Sequence, residues 1–230
     1  MNNEKAFNKG SIFTITNYFY WFFMGNIYFA LVNIPLIFLL FFSSAPRSIE
    51  PSLVEVYFYC LPIGPAFTAL LGVMGKFVRE KDLSITKDFF RMYKRNFKQS
   101  ILVWAIELAV LIVLYVDMKS IASSLRILFI ILFLLTVLMG VYIFPLISRF
   151  YLKTKDAVIL SFICLFKHFK VTVLLIISLI ASLIVLNSIP GVSMLFIVSI
   201  VCYSIMYFEK DILEDFEKKV KSNTNGKFVL

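Results

Sequence analysis

The sequence predicts an all-α fold, a polytopic membrane helix bundle, on three observations. Of the 230 residues, 60% are hydrophobic and only 16% are charged, and the mean hydropathy is +0.90. Soluble domains average about 45–50% apolar and about 25% charged residues. Long apolar runs recur along the chain, and nearly all basic residues fall between them. A chain of this composition needs lipid around much of its surface.

The number of spans follows from the length of the apolar runs, since a span needs about 20 mainly apolar residues. Six windows qualify or nearly qualify, and the third is the shortest. The fifth and sixth are joined only by a turn with Pro190 and Gly191, so a five-span arrangement that fuses or drops one window is the alternative. The six windows are about 18–43, 53–77, 99–117, 125–148, 170–188 and 190–208.

The two ends of the chain carry separate expectations. The first window is longer than the apolar region of a signal peptide, which has about 7–15 residues, so it is expected to be an uncleaved first span. Residues 209–230 follow the last window and are predicted to be a charged, solvated cytoplasmic tail that begins as a short helix.

The basic residues orient the predicted bundle, because loops rich in Lys and Arg stay in the cytoplasm. With the N-terminus inside, the inner segments hold 20 of the 23 Lys and Arg residues, and only Arg47, Lys119 and Arg126 lie outside. The chain is therefore predicted to be a multi-pass protein of the cell membrane with both termini cytoplasmic. No nucleic-acid-binding module accompanies the net charge of +9. The inner segments are 1–17, 76–98, 149–170 and 209–230.

Residues 84–98 are predicted to form an amphipathic helix on the cytoplasmic side, with Ser84 or Thr86 as its cap. The helical period puts Phe89, Tyr93 and Phe97 on one face and the cations on the opposite face. Such a helix is expected to lie in the headgroup layer with its cations towards anionic lipid phosphates. A docking surface for a cytoplasmic partner is the alternative. The cations are Lys87, Arg91, Lys94, Arg95 and Lys98.

A second, weaker interfacial helix is expected in the inner segment 149–170. The sequence "RNFKQSIL" (95–102) can be laid over "KHFKVTVL" (167–174) at an offset of 72 residues. Each stretch precedes a span that runs outward, which suggests a degenerate internal repeat of helix, interfacial helix and helix. Such repeats are common in transporter folds, and they also occur in membrane proteins that transport nothing.

The stretch "LPIGPAFTAL" (61–70) interrupts the second window. Pro62 and Pro65 remove backbone donors and clash with preceding carbonyls, so in lipid the broken turn must face protein or water. Thr68 can supply a hydroxyl group, and Gly64 permits close helix contact. A kink packed against neighbouring helices is the simpler interpretation. The functional alternative is an unwound site near the middle of the membrane, as in transporters.

Glu107 is the one carboxylate near the middle of a predicted span. A charge there costs at least about 2.5–3.5 kcal/mol, which makes a membrane carboxylate a functional candidate. It can be protonated, or it can pair with a cation such as Arg126. Three amides, Asn26, Asn33 and Asn187, are expected to make hydrogen bonds between helices.

No pattern in the sequence indicates an enzyme, a cofactor or a metal. The three cysteines are far apart and lack metal-ligand spacing. The only histidine, His168, lies near Lys167 and Lys170 and is expected to contact solvent or headgroups. Neither a phosphate-binding glycine loop nor a nucleophile elbow is present.

Residues 18–104 resemble the YesL-like family, small multi-pass membrane proteins of Gram-positive bacteria without established activity. The resemblance rests on a first span with Asn26, Asn33 and Pro35, on a Pro-Gly-Pro-Ala-Thr-type segment at 64–70, and on the stretch from Phe89 to Ser100. Phe67 departs from the family pattern, which has a small polar residue there.

The resemblance also implies a biological role. Members of this family are often encoded beside genes for carbohydrate uptake and breakdown. It therefore implies an accessory component linked to carbohydrate uptake, with subunits of an ABC-type sugar transporter as candidate partners. The alternative is a small secondary transporter or channel that uses the break at Pro62–Pro65 and the buried Glu107.

Overall fold

The structure, a computed structural model, describes residues 2–43, 51–80, 83–121 and 123–223. Every regular element in these ranges is a helix, which confirms the predicted all-α fold. The elements are α1 (Asn2–Val32), α2 (Ile34–Ser43), α3 (Leu53–Cys60), α4 (Ile63–Glu80), α5 (Ile85–Ser120), α6 (Ser123–Arg149), α7 (Thr154–Lys167), α8 (Phe169–Ser188), α9 (Pro190–Ser193), α10 (Ile197–Phe208) and α11 (Lys210–Asn223).

Four segments of the described chain are long and apolar enough to cross a membrane, which supports a membrane bundle. A fifth is reached if the bent pair Thr16–Val32 and Ile34–Phe41 counts as one span. The sixth predicted window contains α9, a turn and α10, and α10 has only 12 residues. The described structure therefore provides four to five spans by length and composition. The four are Leu53–Glu80, Ile85–Ser120, Leu125–Arg149 and Phe169–Ser188.

The first predicted span is bent rather than straight. Its two parts meet at 74° beside Asn33 and Pro35. Because Pro35 has no N–H, the helical bond from this residue is missing, and prolines are the usual cause of such kinks. Next to the kink, the Nδ2 of Asn33 donates to the carbonyl of Phe29 at 2.8 Å, within its own segment.

The core is built around α4, which packs against α1, α5, α6 and α10. Ala69, Leu70 and Met74 of α4 are fully buried, and so is Leu175 of α8. Most of the apolar side chains of α8 are exposed instead. This is the distribution expected when lipid covers one side of a bundle, since lipid tails are as apolar as the side chains they meet.

The amphipathic segment 84–98 is not a separate interfacial helix, contrary to the prediction. It is the first part of α5, whose 36 residues run without a break into the third span. At 1.5 Å per residue α5 is about 54 Å long, whereas the hydrocarbon core is about 30 Å thick. The basic part therefore extends beyond the hydrocarbon layer. Its ring Phe89 is fully buried and packs on Tyr28 of α1 with centroids 5.7 Å apart, so it does not face lipid.

The second inner segment does contain a separate helix, α7, which ends at the turn around His168 before α8 begins. The two stretches of the proposed repeat thus differ in shape. Residues 95–102 lie inside one continuous helix, whereas residues 167–174 span a junction between two helices.

The predicted solvated tail packs against the bundle instead. Helix α11 buries Ile212 and Leu213, and its Glu217 accepts a hydrogen bond from Arg149 of α6 at 2.6 Å. An amphipathic helix is stabilised when its apolar stripe is covered by other parts of the protein. The many charged residues of this segment obscure that stripe in the sequence. Arg47 and residues 224–230 lie outside the described residues.

Candidate functional site

A cavity of about 280 Å³ lies among α4, α5, α6, α8 and α10. Among the described residues that line it, Glu107 of α5 is the only charged one, and the others are apolar or aromatic. Within the described residues, the Glu107 carboxyl makes no ion pair, and Arg126, the partner considered as one alternative, is exposed elsewhere. The walls are Ile63, Gly64, Phe67, Trp104, Leu111, Val137, Gly140, Val141, Phe144, Leu179, Val201 and Ile205.

Two glycines allow the helices around this cavity to approach closely. A Cβ atom placed on Gly140 of α6 would overlap Oε1 of Glu107. A Cβ atom placed on Gly64 of α4 would overlap the Cβ atom of Trp104. Small residues at such contacts bring membrane helices together. The absence of a side chain at these two positions therefore determines where the carboxyl group and the indole ring lie.

The break at Leu61–Pro62 is closed by α5. Because Pro62 and Pro65 have no N–H, carbonyls in the preceding turn lack their usual helical donors. Leu61 donates its N–H to Phe58 at 3.3 Å, and Trp104 donates its Nε1–H to the carbonyl of Cys60 at 2.8 Å. The broken turn thus faces protein. Its backbone stays near helical geometry, with Leu61 at φ −55° and ψ −41°.

The residues predicted as a membrane site are only partly brought together. Glu107 and Gly64 line the same cavity, whereas Pro62, Pro65 and Thr68 do not. Thr68 is buried, and its hydroxyl donates to the carbonyl of Gly64 within its own helix at 2.8 Å. The arrangement is an apolar cavity with one carboxyl group, without the unwound backbone of a transport site.

The three asparagines behave differently. Asn26 of α1 donates to the carbonyl of Met194 at 2.9 Å and accepts from the N–H of Ser199 at 2.8 Å. It therefore joins α1 to the turn between α9 and α10 and to the first turn of α10. Asn33 and Asn187 instead donate to carbonyls four residues earlier in their own segments. The expectation of hydrogen bonds between helices is therefore correct for Asn26 and wrong for the other two.

The cations of the amphipathic segment fall into two groups. Arg91 pairs with Asp88, and Arg95 donates to the carbonyl of Ser148 and lies over the ring of Tyr151. Arg95 therefore joins α5 to the end of α6, whereas the Arg91 pair lies within α5. The remaining three, Lys87, Lys94 and Lys98, are exposed and make no hydrogen bond or ion pair within the described chain.

These three lysines form a single line, called here the lysine stripe. They are spaced by seven and four residues, which puts them within an arc of about 40° on a helix. The stripe is a continuous strip of positive charge on the part of α5 that extends beyond the hydrocarbon layer. Such a surface can attract acidic groups.

Asp88 is a central contact that the sequence reasoning missed. It is only 2% exposed, and it accepts from Lys76 of α4 at 2.9 Å, from the N–H of Ser84 at 3.2 Å, and from Arg91. The bonds lock the start of α5 onto the end of α4. The signal was present, because Asp88 is the lone acid in the basic stretch 84–98 and lies in the first turn of its helix.

Among the titratable groups outside the membrane spans, burial is the main cause of shifted pKa values. Burial raises the pKa of the Cys164 thiol of α7 to about 12, and the carboxyl of Glu209 adds to that rise. Burial and the neighbouring Lys167 lower the pKa of His168. Within the described residues, no group of three or more His, Cys, Asp or Glu side chains is arranged to hold a metal ion.

Comparison with known proteins gives two similarities. Residues 13–118 match a family model described as "Protein of unknown function, DUF624". The chain is also similar to the "Uncharacterized protein YteU" of Bacillus subtilis (strain 168), with 29% identity over 164 residues that cover 66% of this chain and 74% of that protein. No solved structure matches the chain. The matched range includes residues 18–104 and agrees with the resemblance to the YesL-like family, and over residues 13–118 this integral membrane protein is similar to the DUF624 family of unknown function.

Proposed function

We propose that this chain is an accessory membrane protein without catalytic activity, which docks an acidic surface of a partner protein through the lysine stripe. The observation that carries the proposal is the exposure of Lys87, Lys94 and Lys98 along one line of α5. Unpaired cations on a rigid helix offer a preorganised electrostatic surface, which favours fast and specific association.

The geometry favours a protein over lipid headgroups as the occupant of the stripe. Lys87 and Lys98 are separated by about 16 Å along the helix axis. Even at a tilt of about 40°, the upper end of the usual range, about 12 Å of this separation remains along the membrane normal. A headgroup layer is only about 5–8 Å thick on each side. Lipid phosphates can therefore reach the inner end of the stripe but not all of it.

The link to carbohydrate uptake rests on the resemblance to the YesL-like family. It makes the subunits of an ABC-type sugar transporter the first partners to test. The proposal includes a location in the cell membrane with both termini in the cytoplasm. The concentration of 20 of 23 basic residues in the predicted inner segments supports this orientation.

Affinity purification of the tagged full chain in mild detergent, followed by quantitative mass spectrometry, tests the proposal. We expect transporter subunits to be enriched with the wild type, and K87E/K94E/K98E to reduce them about tenfold or more. The control K153E/K155E/K170E changes the charge equally at exposed lysines outside the stripe. Equal recovery with the stripe variant and the control contradicts docking, and a wild type without enriched subunits contradicts the accessory role.

A second candidate function is proton-coupled or ion-coupled transport through Glu107. The observation in its favour is that this carboxyl lines a 280 Å³ cavity without an ion-pair partner in the described chain. In vesicles with a pH-sensitive dye, Glu107→Gln should abolish a flux that the wild type supports, with Glu80→Gln as a control at an exposed carboxylate. An unchanged flux rejects this role.

A further inference from the structure

Three arginines from three helices converge beneath α11. Arg79 lies in the last turn of α4, Arg149 in the last turn of α6, and Arg95 in the basic part of α5. They line a small cavity of about 60 Å³ together with Ser148. Arg79 and Arg149 also line a larger cavity of about 320 Å³, whose other walls all come from α11.

The charges around these two cavities are not balanced. Two carboxylates of α11 face them, since Glu217 bonds Arg149 at 2.6 Å and Glu214 lies 4.0 Å from Lys210. Glu80 of α4 also acts on Arg79 and lies 4.0 Å from Lys76. Within the described part of the chain, Arg95 donates to two neutral oxygens, the carbonyl of Ser148 and Oδ1 of Asn96. The site therefore has more positive charge than the carboxylates of the described chain neutralise.

Arg79 is a cation of this cluster that pairs with no carboxylate of the described chain. Its guanidinium makes no hydrogen bond or ion pair within the described residues, although it lines both cavities with Arg149. Arg149 repels this cation while Glu80, Glu214 and Glu217 attract it without pairing with it, and the side chain of Arg149 is only 8% exposed. Arg79 is exposed, so an anion can reach it from solvent and bind between the two guanidinium groups through charge-assisted hydrogen bonds from both.

The chemistry of the donors indicates which anion. Guanidinium groups offer planar pairs of N–H donors that match the oxygens of phosphate and carboxylate. Arg149 already donates to the carboxylate of Glu217, so it can bind an oxyanion in this position. Three arginines exceed what one carboxylate needs, and a phosphate group has oxygens enough for all of them.

We propose that Arg79, Arg95 and Arg149 form a binding site for a phosphate group, with α11 as its outer wall. Two sources carry this chemistry: a phospholipid headgroup, since Arg79 ends a membrane span, and a free phosphate, since the outer cavity has room for a small molecule. The site is separate from the lysine stripe and does not depend on the accessory function.

Two binding measurements on the full chain in a non-ionic detergent distinguish the sources. Thermal unfolding is followed while inorganic phosphate is added against chloride at equal ionic strength. Native mass spectrometry then measures retention of phosphatidylglycerol against a phosphate-free glycolipid. The variants are R79Q and the control R126Q, an exposed arginine in the first turns of α6. Since Arg79 has no described partner, R79Q should fold, and R79K serves as a second variant that retains the charge but loses the paired donors.

We expect R79Q to weaken binding of at least one phosphate probe by about tenfold or more, as the loss of a hydrogen bond from a charged donor predicts, and R126Q to leave it unchanged. Binding of inorganic phosphate that R79Q weakens identifies a free phosphate as the ligand. Selective retention of phosphatidylglycerol alone identifies a headgroup. If the wild type binds neither probe, or if R79Q binds as tightly as R126Q, the site is wrong. The variant K87E/K94E/K98E should bind phosphate normally, which separates this test from that of the proposed function.

Discussion

The indole N–H of Trp104 donates to the carbonyl oxygen of Cys60 over 2.8 Å, and this bond joins α5 to the break between α3 and α4. Pro62 and Pro65 interrupt the helical bonding of this turn, and the Cys60 carbonyl accepts from a side chain of the next helix. Contacts between helices at Gly64 and at Asp88 are likewise expected to determine the stability of the bundle.

Trp104→Phe should destabilise the bundle by about 1–2 kcal/mol, because it leaves the Cys60 carbonyl without a donor in an apolar setting. The measurement is reversible unfolding in detergent followed by circular dichroism. Trp21→Phe is the matched control, since Trp21 contacts the rings of Tyr18 and Phe77 without a described hydrogen bond. Equal effects of the two substitutions would show that the hydrogen bond contributes nothing.

Gly64→Ala should destabilise by about 1–3 kcal/mol, because the new methyl group meets the Cβ atom of Trp104, which cannot move without its helix. Gly140→Ala should cost less, since the overlapping atom is the flexible end of Glu107. Gly191→Ala has open space around it and serves as the control. The free energies of unfolding are compared in the same detergent, and a larger loss at Gly140 than at Gly64 contradicts the prediction.

Asp88→Asn should destabilise by about 3 kcal/mol, because it leaves the ammonium of Lys76 without its buried counter-ion. The effect should be accompanied by faster proteolysis near the junction of α4 and α5. Asp211→Asn, at an exposed position of α11, removes the same charge and should be close to neutral. Indistinguishable stabilities of the two variants would mean that the Asp88 contacts are not stabilising.

Glu209 predicts a pH dependence of stability. Burial raises the pKa of this carboxyl well above its usual value of 4.5, so the folded chain holds a proton that the unfolded chain has released. Stability is then fully present below about pH 4.5 and falls as the pH rises towards the folded-state pKa. Glu209→Gln removes this loss.

The measurement is the unfolding midpoint of wild type and Glu209→Gln between about pH 4 and pH 8. We expect the two proteins to be similar at the acid end and the variant to be the more stable at the alkaline end. Glu80→Gln, at an exposed carboxylate, should follow the wild type. Parallel curves for wild type and Glu209→Gln would contradict the prediction.

The helical architecture could be predicted because the membrane imposes it, since only structures that satisfy their own backbone hydrogen bonds cross lipid. The break at Pro62 was also predictable from the missing N–H. Its partner Trp104 was not, because a hydrogen bond between helices depends on which residues the topology brings opposite each other.

The orientation of the aromatic face of 84–98 could not be read from the sequence. An apolar ring gains similarly from lipid and from a neighbouring helix, so a pattern of rings does not distinguish the two environments. Phe89 packs on Tyr28 of α1, more than 60 positions earlier in the chain. The same limit applies to the amides, since Asn26 bridges two segments while Asn187 bonds within its own helix.

The unbroken course of α5 has a mechanical consequence. A continuous helix moves as a rigid rod, so a tilt imposed at one end is carried along its length. Lys87 and Glu107 lie on this rod about 30 Å apart, one beyond the hydrocarbon layer and one in the wall of the membrane cavity. A displacement of the cationic end is therefore carried along α5 to the wall of that cavity.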